Sequence, residues 1–202
     1  MRGNNWRLLG GDVTLRSGKV LWLATENRNK LREAQAILTN FGIRARWLKR
    51  AKVEIQSSDL EKISSFAANN ISRTHKGMVV VEDSGLFVEA LGGFPGPFSA
   101  YVQRTIGPSG ILRLLGQKEK RGAYFQASIA ASESGCARGV FTGTVRGRIS
   151  RTERGDNGFG FDPIFIPEGR RMTFGEMGDS QKNSQSHRSK GYRKLADWYL
   201  SS

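Results

Sequence analysis

A run of apolar residues that ends abruptly in two carboxylates constrains the fold of this chain more than any other feature. Residues 78–81 are all apolar, a pattern typical of a buried strand. The run stops at Glu82 and Asp83. Gly85 then permits a sharp turn, and residues 92–97 are too rich in Gly and Pro for a helix or a strand. Carboxylates at such a strand end are well placed to hold a divalent cation and activate water, unless the strand simply enters an ordinary solvated loop.

The length of the chain fits one domain. With 202 residues, 38% of them hydrophobic, the chain can bury a core as a single domain or as a compact two-lobed one. Residues 1–18 show no clear periodicity, so we expect a mobile extension there. The folded domain is expected to span residues 19–202.

The same sequence indicates a reducing compartment. Cys136 is the only cysteine, which excludes an internal disulfide. No apolar run is long enough to span a bilayer, and the first residues lack the apolar core of a signal peptide. We therefore expect a cytoplasmic protein with no membrane partner.

The net charge is strongly positive. Lys and Arg number 32 against 18 Asp and Glu, which gives +14 at pH 7. This balance favours polyanionic partners such as nucleic acid, an anionic surface or a nucleotide triphosphate. A basic surface kept for solubility is the alternative. Because the cations are spread along the chain, charge alone does not choose between these interpretations.

The first folded segment is predicted to be a strand, a polar turn and a helix. A strand over 20–24 leads into Thr25, Asn27 and Lys30, after which apolar residues recur at helical spacing. This order places backbone N–H groups and the positive end of the helix dipole where an anion can bind. The alternative is an ordinary helix N-terminus, capped by Asn27 and decorated by Lys30.

Further along, Glu54 is the acidic residue with no evident structural task. It follows a predicted strand over 45–48, and it lies outside the next predicted helix. That helix is expected to use Ser58 as its N-cap, with Glu61 completing a capping box. Its buried face should include Phe66. Glu54 is therefore the freer carboxylate to act as a metal ligand.

The C-terminal third places aromatic, acidic and basic residues close together. Aromatic residues flank Gly160 and Asp162 in the segment 159–165, which either packs in the core or forms part of a site. An aspartate among aromatic residues needs a partner if it is buried, and the edge of a base is one option. A terminal helix then begins near His187. The cations at its start, Lys182 among them, either face solvent or bind a phosphate or base.

The motifs become specific when they are taken in their order. They run Thr25-x-Asn27-x-x-Lys30, Glu54-Ile55-Gln56, Glu82-Asp83-Ser84-Gly85-Leu86, Gly92-Gly93-x-Pro95-Gly96, Gly158-Phe159-Gly160-x-Asp162-Pro163 and Ser186-His187-Arg188. This succession resembles the inosine/xanthosine triphosphate pyrophosphatase family of house-cleaning nucleotide hydrolases. The resemblance covers about residues 20 to 199.

The resemblance implies a fold and an activity. The fold would be an elongated α/β structure, with a long mixed β-sheet, flanking helices and two lobes around a central nucleotide-binding cleft. The activity would be Mg²⁺-dependent hydrolysis of ITP, dITP and XTP to the monophosphate and pyrophosphate, by a homodimer. Water would attack the α-phosphate.

The resemblance also implies roles for individual residues. The catalytic group would be Asp83 as the general base, with Glu54 and Lys30. Metal would be held by Glu54 and Asp83, with Glu82 assisting through water. The substrate would be bound by Thr25, Asn27, Lys30, Ser84, Phe159, Gly160, Phe161, Asp162, Lys182, Ser186, His187 and Arg188. Of these, Phe159 would stack on the base, while Ser84 and Lys182 would lie near the phosphates.

Two other functions fit parts of the sequence. A nucleic-acid-binding or polyanion-binding protein would explain the charge, but it leaves the carboxylates at positions 54 and 83 unexplained, so nucleic acid is not expected as the main partner. A related pyrophosphatase for modified pyrimidine nucleotides would keep the phosphate site and change the base site. The segment 159–162 and the Ser186-His187-Arg188 motif favour the purine site.

Overall fold

The fold is a mixed β-sheet with helices packed on both of its faces. The computed structural model describes residues 20–53 and 55–201. The predicted extension, residues 1–18, and the predicted ligand Glu54 therefore lie outside the described residues, and the domain boundary drawn after residue 18 stays a prediction.

The described residues form seven strands and six α-helices. The strands are β1 Val20–Ala24, β2 Arg44–Leu48, β3 Val79–Val88, β4 Pro95–Gly96, β5 Gly122–Glu133, β6 Cys136–Ile149 and β7 Phe165–Pro167. The α-helices are α1 Arg28–Thr39, α2 Leu60–Ser72, α3 Ser99–Thr105, α4 Gly107–Leu115, α5 Asp179–Asn183 and α6 His187–Ser201. Within the described ranges, no helix is both long and apolar enough to cross a membrane.

Strand β3 is the centre of the sheet. The strand order is β2-β1-β3-β5-β6-β7, and β4 pairs with β3 off this path. Strand β1 runs parallel to β2 and β3, whereas β3, β5, β6 and β7 pair antiparallel in succession. The predicted mixed sheet with flanking helices is confirmed.

The two halves of β3 contribute to different clusters of the hydrophobic core. In its first half, Val80 packs with α1 and α6, whereas its neighbours Val79 and Val81 point to the other face and pack with α2. In its second half, Leu86 and Val88 join a separate cluster with α3, α4 and the segment 161–177. The residues between these halves are Glu82, Asp83 and Ser84, which places polar side chains where the core clusters meet.

The prediction that the strand stops at Glu82 and Asp83 is wrong. Strand β3 continues to Val88, because β5 supplies a ladder partner for each of its ten residues. Gly85 lies inside the strand rather than in a turn, and a side chain there would clash with the Gly96 carbonyl oxygen of β4. The segment 92–97 also contains a short strand, since Pro95 and Gly96 pair with β3.

Two predictions about α2 are also wrong. Its N-cap is Asp59 rather than Ser58, since the Asp59 carboxylate accepts hydrogen bonds from the N–H groups of Glu61 and Lys62. Phe66 is 42% exposed. The helix instead turns small side chains to the sheet, where the Ser64 hydroxyl hydrogen-bonds that of Ser128 in β5.

Candidate active site

A cleft of about 630 Å³ opens beside the carboxyl end of β1 and the middle of β3. Its walls combine the start of α1, the loop after β2, β3, α3, the segment 159–162 and the start of α6. The predicted site residues that line it are Thr25, Asn27, Lys30, Asp83, Ser84, Phe159, Gly160, Phe161, Asp162, Lys182, His187 and Arg188. The fold thus brings motifs from most of the chain to one place.

One end of the cleft is the N-terminus of α1. The Asn27 side chain caps this helix by accepting hydrogen bonds from the N–H groups of Asn29 and Lys30. The Thr25 hydroxyl accepts from the N–H of Asn27 and fixes the turn that precedes the helix. A helix N-terminus with a lysine one turn inside it is an arrangement that favours an anion.

The carboxylates of β3 lie beside this helix start. Asp83 lines the cleft, and Lys30 Nζ is 3.6 Å from Glu82 Oε1. Burial lowers the pKa of Lys30, while Glu82 and Asp83 act against that shift by stabilising its charge. Lys30 is therefore held between the anionic groups of β3 and the place where a ligand's phosphates would lie.

The carboxylate of Glu82 forms an ion pair with the guanidinium of Arg188 on α6. Both carboxylate oxygens of Glu82 accept hydrogen bonds from the guanidinium, at 2.7 to 3.0 Å. Burial alone would raise the pKa of Glu82, but Arg188 and Lys30 outweigh it and lower the pKa to about 2. The side chain is 2% exposed and lies behind the cleft wall. The predicted support of a metal through water stays a prediction, and the partner that the structure gives Glu82 is Arg188.

Glu33 is a buried residue behind the site that sequence reasoning missed. It lies on α1, is 2% exposed, and accepts hydrogen bonds from Lys182 Nζ at 2.7 Å and from Arg188 Nη1. Burial alone would raise its pKa, but Arg188 and Lys182 reverse that effect and the pKa of Glu33 falls. The terminal cations are therefore buried and paired, which rules out the interpretation of a basic helix start that faces solvent.

The far end of the cleft is organised around Asp162. Its Oδ2 accepts a hydrogen bond from Lys182 Nζ at 2.6 Å and from the Phe159 N–H at 2.7 Å. Burial raises the pKa of Asp162, and Lys182 opposes part of that rise. The half-buried Phe159 ring lies over two cations, with its centroid 4.8 Å from Lys182 Nζ and 5.4 Å from Arg188 Cζ. The ring is thus held in the cleft wall, while Phe161 belongs to the core and has a cleft contact as well.

His187 adds a neutral polar atom to this end. Its ring stacks on Phe125 at a centroid distance of 4.8 Å, and burial and Arg188 hold its pKa well below the ordinary value. Its Nδ1 is buried and has no hydrogen-bond partner among the described groups. Ser186 does not line the cleft, because its hydroxyl accepts the N–H of Ser189 at the start of α6. Its predicted contact with substrate stays a prediction.

The donor groups fit a magnesium ion that is shared with a phosphorylated ligand. The described residues contain no cluster of three or more acidic, His or Cys side chains that could hold a metal alone. Magnesium commonly takes one or two carboxylates and completes its shell with phosphate oxygens and water. Asp83 in the cleft wall would supply one carboxylate. The other predicted ligand, Glu54, lies outside the described residues.

Other cleft residues were not among the predicted site residues. They are Glu26, Lys52, Gly85, Pro97, Phe98, Ser99, Ala100, Tyr101, Gln103, Arg104 and Phe125. Several come from α3, a helix that periodicity did not reveal because it is only seven residues long. The exposed side chains of Tyr101 and Arg104 form part of the mouth of the cleft.

This fold and cleft define an α/β protein whose cleft combines a helix N-terminus, a lysine and an aromatic ring, an arrangement that suits a phosphorylated ligand. The sequence profile of the Ham1 family matches residues 21–198. The chain belongs to the Ham1 family.

Relatives with curated names are similar over most of their length. The chain is 48% identical to a dITP/XTP pyrophosphatase of Hyperthermus butylicus, over 89% of this chain and 94% of that protein. It is also 48% identical to a dITP/XTP pyrophosphatase of Methanopyrus kandleri, over 90% of this chain and 96% of that one. Among solved structures, the Staphylococcus aureus Ham1 protein superposes with a TM-score of 0.78 at 27% identity, covering 91% of this chain and 99% of that chain.

Proposed function

We propose that this protein hydrolyses the non-canonical purine nucleoside triphosphates ITP, dITP and XTP to the nucleoside monophosphate and pyrophosphate. Its similarity to proteins named dITP/XTP pyrophosphatase supports this activity. The observation that carries the proposal is one cleft lined by Lys30 and the N-terminus of α1 and also by the Phe159 ring above paired cations. A nucleotide likewise combines a charged phosphate chain with an aromatic base.

The chain's own groups suit water attack on the α-phosphorus. Asp83 would take the proton of the attacking water as a new phosphorus–oxygen bond forms. The bond from the α-phosphorus to the bridging oxygen would break, and pyrophosphate would leave with both electrons of that bond. Lys30 and the N-terminus of α1 would stabilise the charge that develops on the phosphates. Positioning and charge therefore account for most of the catalysis expected here.

We also propose Mg²⁺ as the cofactor, held by Asp83 and Glu54. When bound, this ion would neutralise charge on phosphate oxygens and orient the leaving group. The support is the donor chemistry of the cleft, where a carboxylate lies beside a lysine and a helix N-terminus.

Selection of the base would depend on hydrogen-bond donors at the Phe159 end. Hypoxanthine and xanthine carry a carbonyl oxygen at the six position, where adenine carries an amino group. Donors from Arg188, Lys182 or His187 would match the carbonyl and oppose the amino group, and an unmatched buried polar contact discriminates strongly. His187 supports this assignment, because the residue lines the cleft and its buried Nδ1 has no partner among the described groups.

The homodimer and the cytoplasmic location are proposals of the same kind. The dimer rests on the family resemblance, and the location rests on the single cysteine. Purine nucleoside triphosphate is the proposed small-molecule partner, with no membrane partner.

The test is pyrophosphate release from ITP, dITP, XTP, GTP, ATP and dTTP, with and without Mg²⁺. We expect metal-dependent release that is confined to the first three substrates. Release from dTTP instead would support the modified-pyrimidine alternative, and absence of release from a folded protein would overturn the proposal.

A paired variant tests the catalytic base within the same assay. Asp83→Asn should abolish turnover while nucleotide binding persists, because the amide keeps the shape of the carboxylate and cannot take the proton. Asp156→Asn, on an exposed loop, is the matched control and should retain full activity. Near-normal turnover of Asp83→Asn would remove Asp83 as the base.

A further inference from the structure

Five exposed cations lie on β2, in the loop that follows it and in the segment between α2 and β3. They are Arg44, Arg46, Lys49, Arg50 and Lys76, and we refer to them as the edge surface. β2 is the terminal strand of the sheet, so nothing among the described strands covers its outer side. Arg44 and Arg46 alternate with half-buried residues, and they therefore point to the same face about 7 Å apart.

Contacts through Trp22 make this surface continuous. Trp22 on β1 is the register partner of Arg46, whose guanidinium carbon lies 5.6 Å from the indole centroid. The His75 ring meets the same indole edge-on at 4.7 Å. Arg50 donates a hydrogen bond to the Thr74 hydroxyl, just past the end of α2. The loop that follows β2 and the segment 74–76 therefore belong to one surface.

The edge surface has no acidic partner among the described residues. No Asp or Glu occurs between residues 34 and 53 or between residues 62 and 81. Within the described part of the chain, none of the five cations forms an ion pair, whereas Arg138, Arg146, Arg151 and Arg154 each pair with a glutamate. Unpaired like charges repel one another, so this surface favours a polyanion that would neutralise them.

We propose that the edge surface binds the phosphate backbone of nucleic acid, as an activity separate from the chemistry of the cleft. The guanidinium groups of arginine match phosphate oxygens in geometry and charge. Arg28 already stacks on Trp47 at 3.6 Å, and Arg46 lies over Trp22, so these rings are covered by cations. The rings are therefore not available to stack on bases, and we expect the surface to contact the phosphate backbone without distinguishing the base sequence.

An anionic membrane fits this surface less well. Peripheral membrane binding usually combines cations with exposed apolar side chains that enter the lipid. The exposed large hydrophobic residues of the described chain include none in β2 and none in residues 73–76. Nucleic acid needs no such anchors, because the release of counterions from its phosphates drives the association.

The surface and the cleft have no residue in common. None of the five cations lines the cleft. Bound nucleic acid is therefore expected to leave dITP hydrolysis unaffected, and the inference stands whether or not the proposed function is correct.

The experiment measures fluorescence anisotropy of a labelled single-stranded RNA of about 20 nucleotides over a range of salt concentrations. The logarithm of the binding constant should fall linearly with the logarithm of the salt concentration, with a slope of about −0.7 for each phosphate contacted. Arg44→Glu/Arg46→Glu should weaken binding at least about tenfold and reduce the magnitude of the slope by about 1.4. Because Arg46 contacts Trp22, Lys49→Glu/Lys76→Glu provides a second variant without that packing role, and it should weaken binding as well.

The matched control makes the same change of charge on another surface. Lys118→Glu/Lys120→Glu alters two exposed lysines of the loop before β5, and it should leave RNA affinity within about twofold. Equal loss in the control and in both edge variants would show general charge attraction and overturn the proposal. Binding of the native protein to anionic vesicles but not to RNA would overturn it too, as would RNA that competes with dITP for the cleft.

Discussion

Glu33 holds together the two cations that serve the base end of the cleft. One of its oxygens accepts from Lys182 and the other from Arg188, and all three side chains are 2% exposed. Arg188 then reaches Glu82 on β3, and Lys182 reaches Asp162. Removal of one member of such a buried set leaves the others charged and without a partner, which costs more than the lost contact itself.

The residue-scale prediction is therefore made at Glu33. Glu33→Gln keeps the shape of the side chain but offers only one acceptor oxygen to two cations. We expect the free energy of unfolding to fall by about 3 kcal/mol, measured by urea denaturation. The catalytic efficiency on dITP should fall about tenfold or more, because Lys182 and Arg188 lose their fixed positions.

A surface glutamate provides the comparison. Glu61 accepts a hydrogen bond from the Thr142 hydroxyl and is exposed. Glu61→Gln should change stability by less than about 1 kcal/mol and leave turnover unaltered. Equal behaviour of the two variants would mean that the buried set has no special role.

The sequence alone indicates that Glu33 is buried, but it does not indicate which residues Glu33 contacts. Helical spacing places it on the buried side of α1 between Lys30 and Ile37, where a carboxylate needs a partner. Its partners lie 149 and 155 positions away, so no local pattern could name them. The predicted cleft residues were easier to identify from the sequence, because each motif places polar residues at a turn or at the end of a helix or strand.

Helix α6 delivers His187 and Arg188 to the cleft because it packs unusually close to β6. A side chain on Gly143 of β6 would clash with the His187 carbonyl oxygen and the Gly191 N–H. The lack of a side chain at Gly143 lets the backbone of the helix approach the strand, and Gly191 on α6 serves the same contact.

The element-scale prediction tests this approach. Gly143→Ala should push the start of α6 outward, lower the melting temperature by several degrees and reduce turnover more than it reduces nucleotide affinity. Gly178→Ala is the control, since no atom lies within 4 Å of the added group, and it should have a small effect. A crystal structure of Gly143→Ala with α6 unmoved would contradict this explanation.

Most elements could be predicted from local pattern, and the failures have physical causes. The strands β1 and β2 and the β5–β6 pair follow β-branched and apolar periodicity closely. The polar residues near Glu82 led to the wrong prediction that β3 ends there. Pairing with β5 continues the strand through these residues, and a local sequence pattern does not show that pairing. At the start of α2, Ser58 and Asp59 are both good caps by sequence, and only the fold shows which is used.

At the scale of the whole molecule, one charged set ties α1, β3, the segment 159–162, α5 and α6 together. Its pKa shifts set how the fold responds to acid. Glu82 has a pKa of about 2 in the folded protein, against 4.5 ordinarily. Its stabilising contribution is therefore complete above pH 4.5 and is lost as the pH falls towards 2.

Three other groups modify this response. Glu33 acts in the same direction below about pH 4.5, because Arg188 and Lys182 outweigh burial and hold its folded pKa below the ordinary value. His187 acts in the same direction from about pH 6.5 downward, because burial and Arg188 hold its folded pKa well below 6.5 while the unfolded chain takes up the proton. Asp162 acts in the opposite sense near pH 3.8, since burial raises its folded pKa.

The whole-molecule prediction is a loss of stability on acidification. Between pH 6.5 and pH 3, urea denaturation should show a falling free energy of unfolding, with about 2 kcal/mol of the loss due to the titration of Glu82. Glu82→Gln should have a flatter profile below pH 4.5, and Glu61→Gln a profile like the native one. A native profile that is flat or rises towards low pH would disprove the assigned pKa directions.

The buried charged set contains equal numbers of positive and negative groups, and this equality limits which substitutions can accumulate during evolution. Formally, three cations (Lys30, Lys182 and Arg188) oppose three carboxylates (Glu33, Glu82 and Asp162). A single substitution leaves one buried charge uncompensated, so genetic drift at any one of these positions is penalised. Viable change requires a second substitution in the same gene, and the effects of the two will be strongly epistatic. In descendants of this protein the six positions should therefore be replaced in oppositely charged pairs or retained.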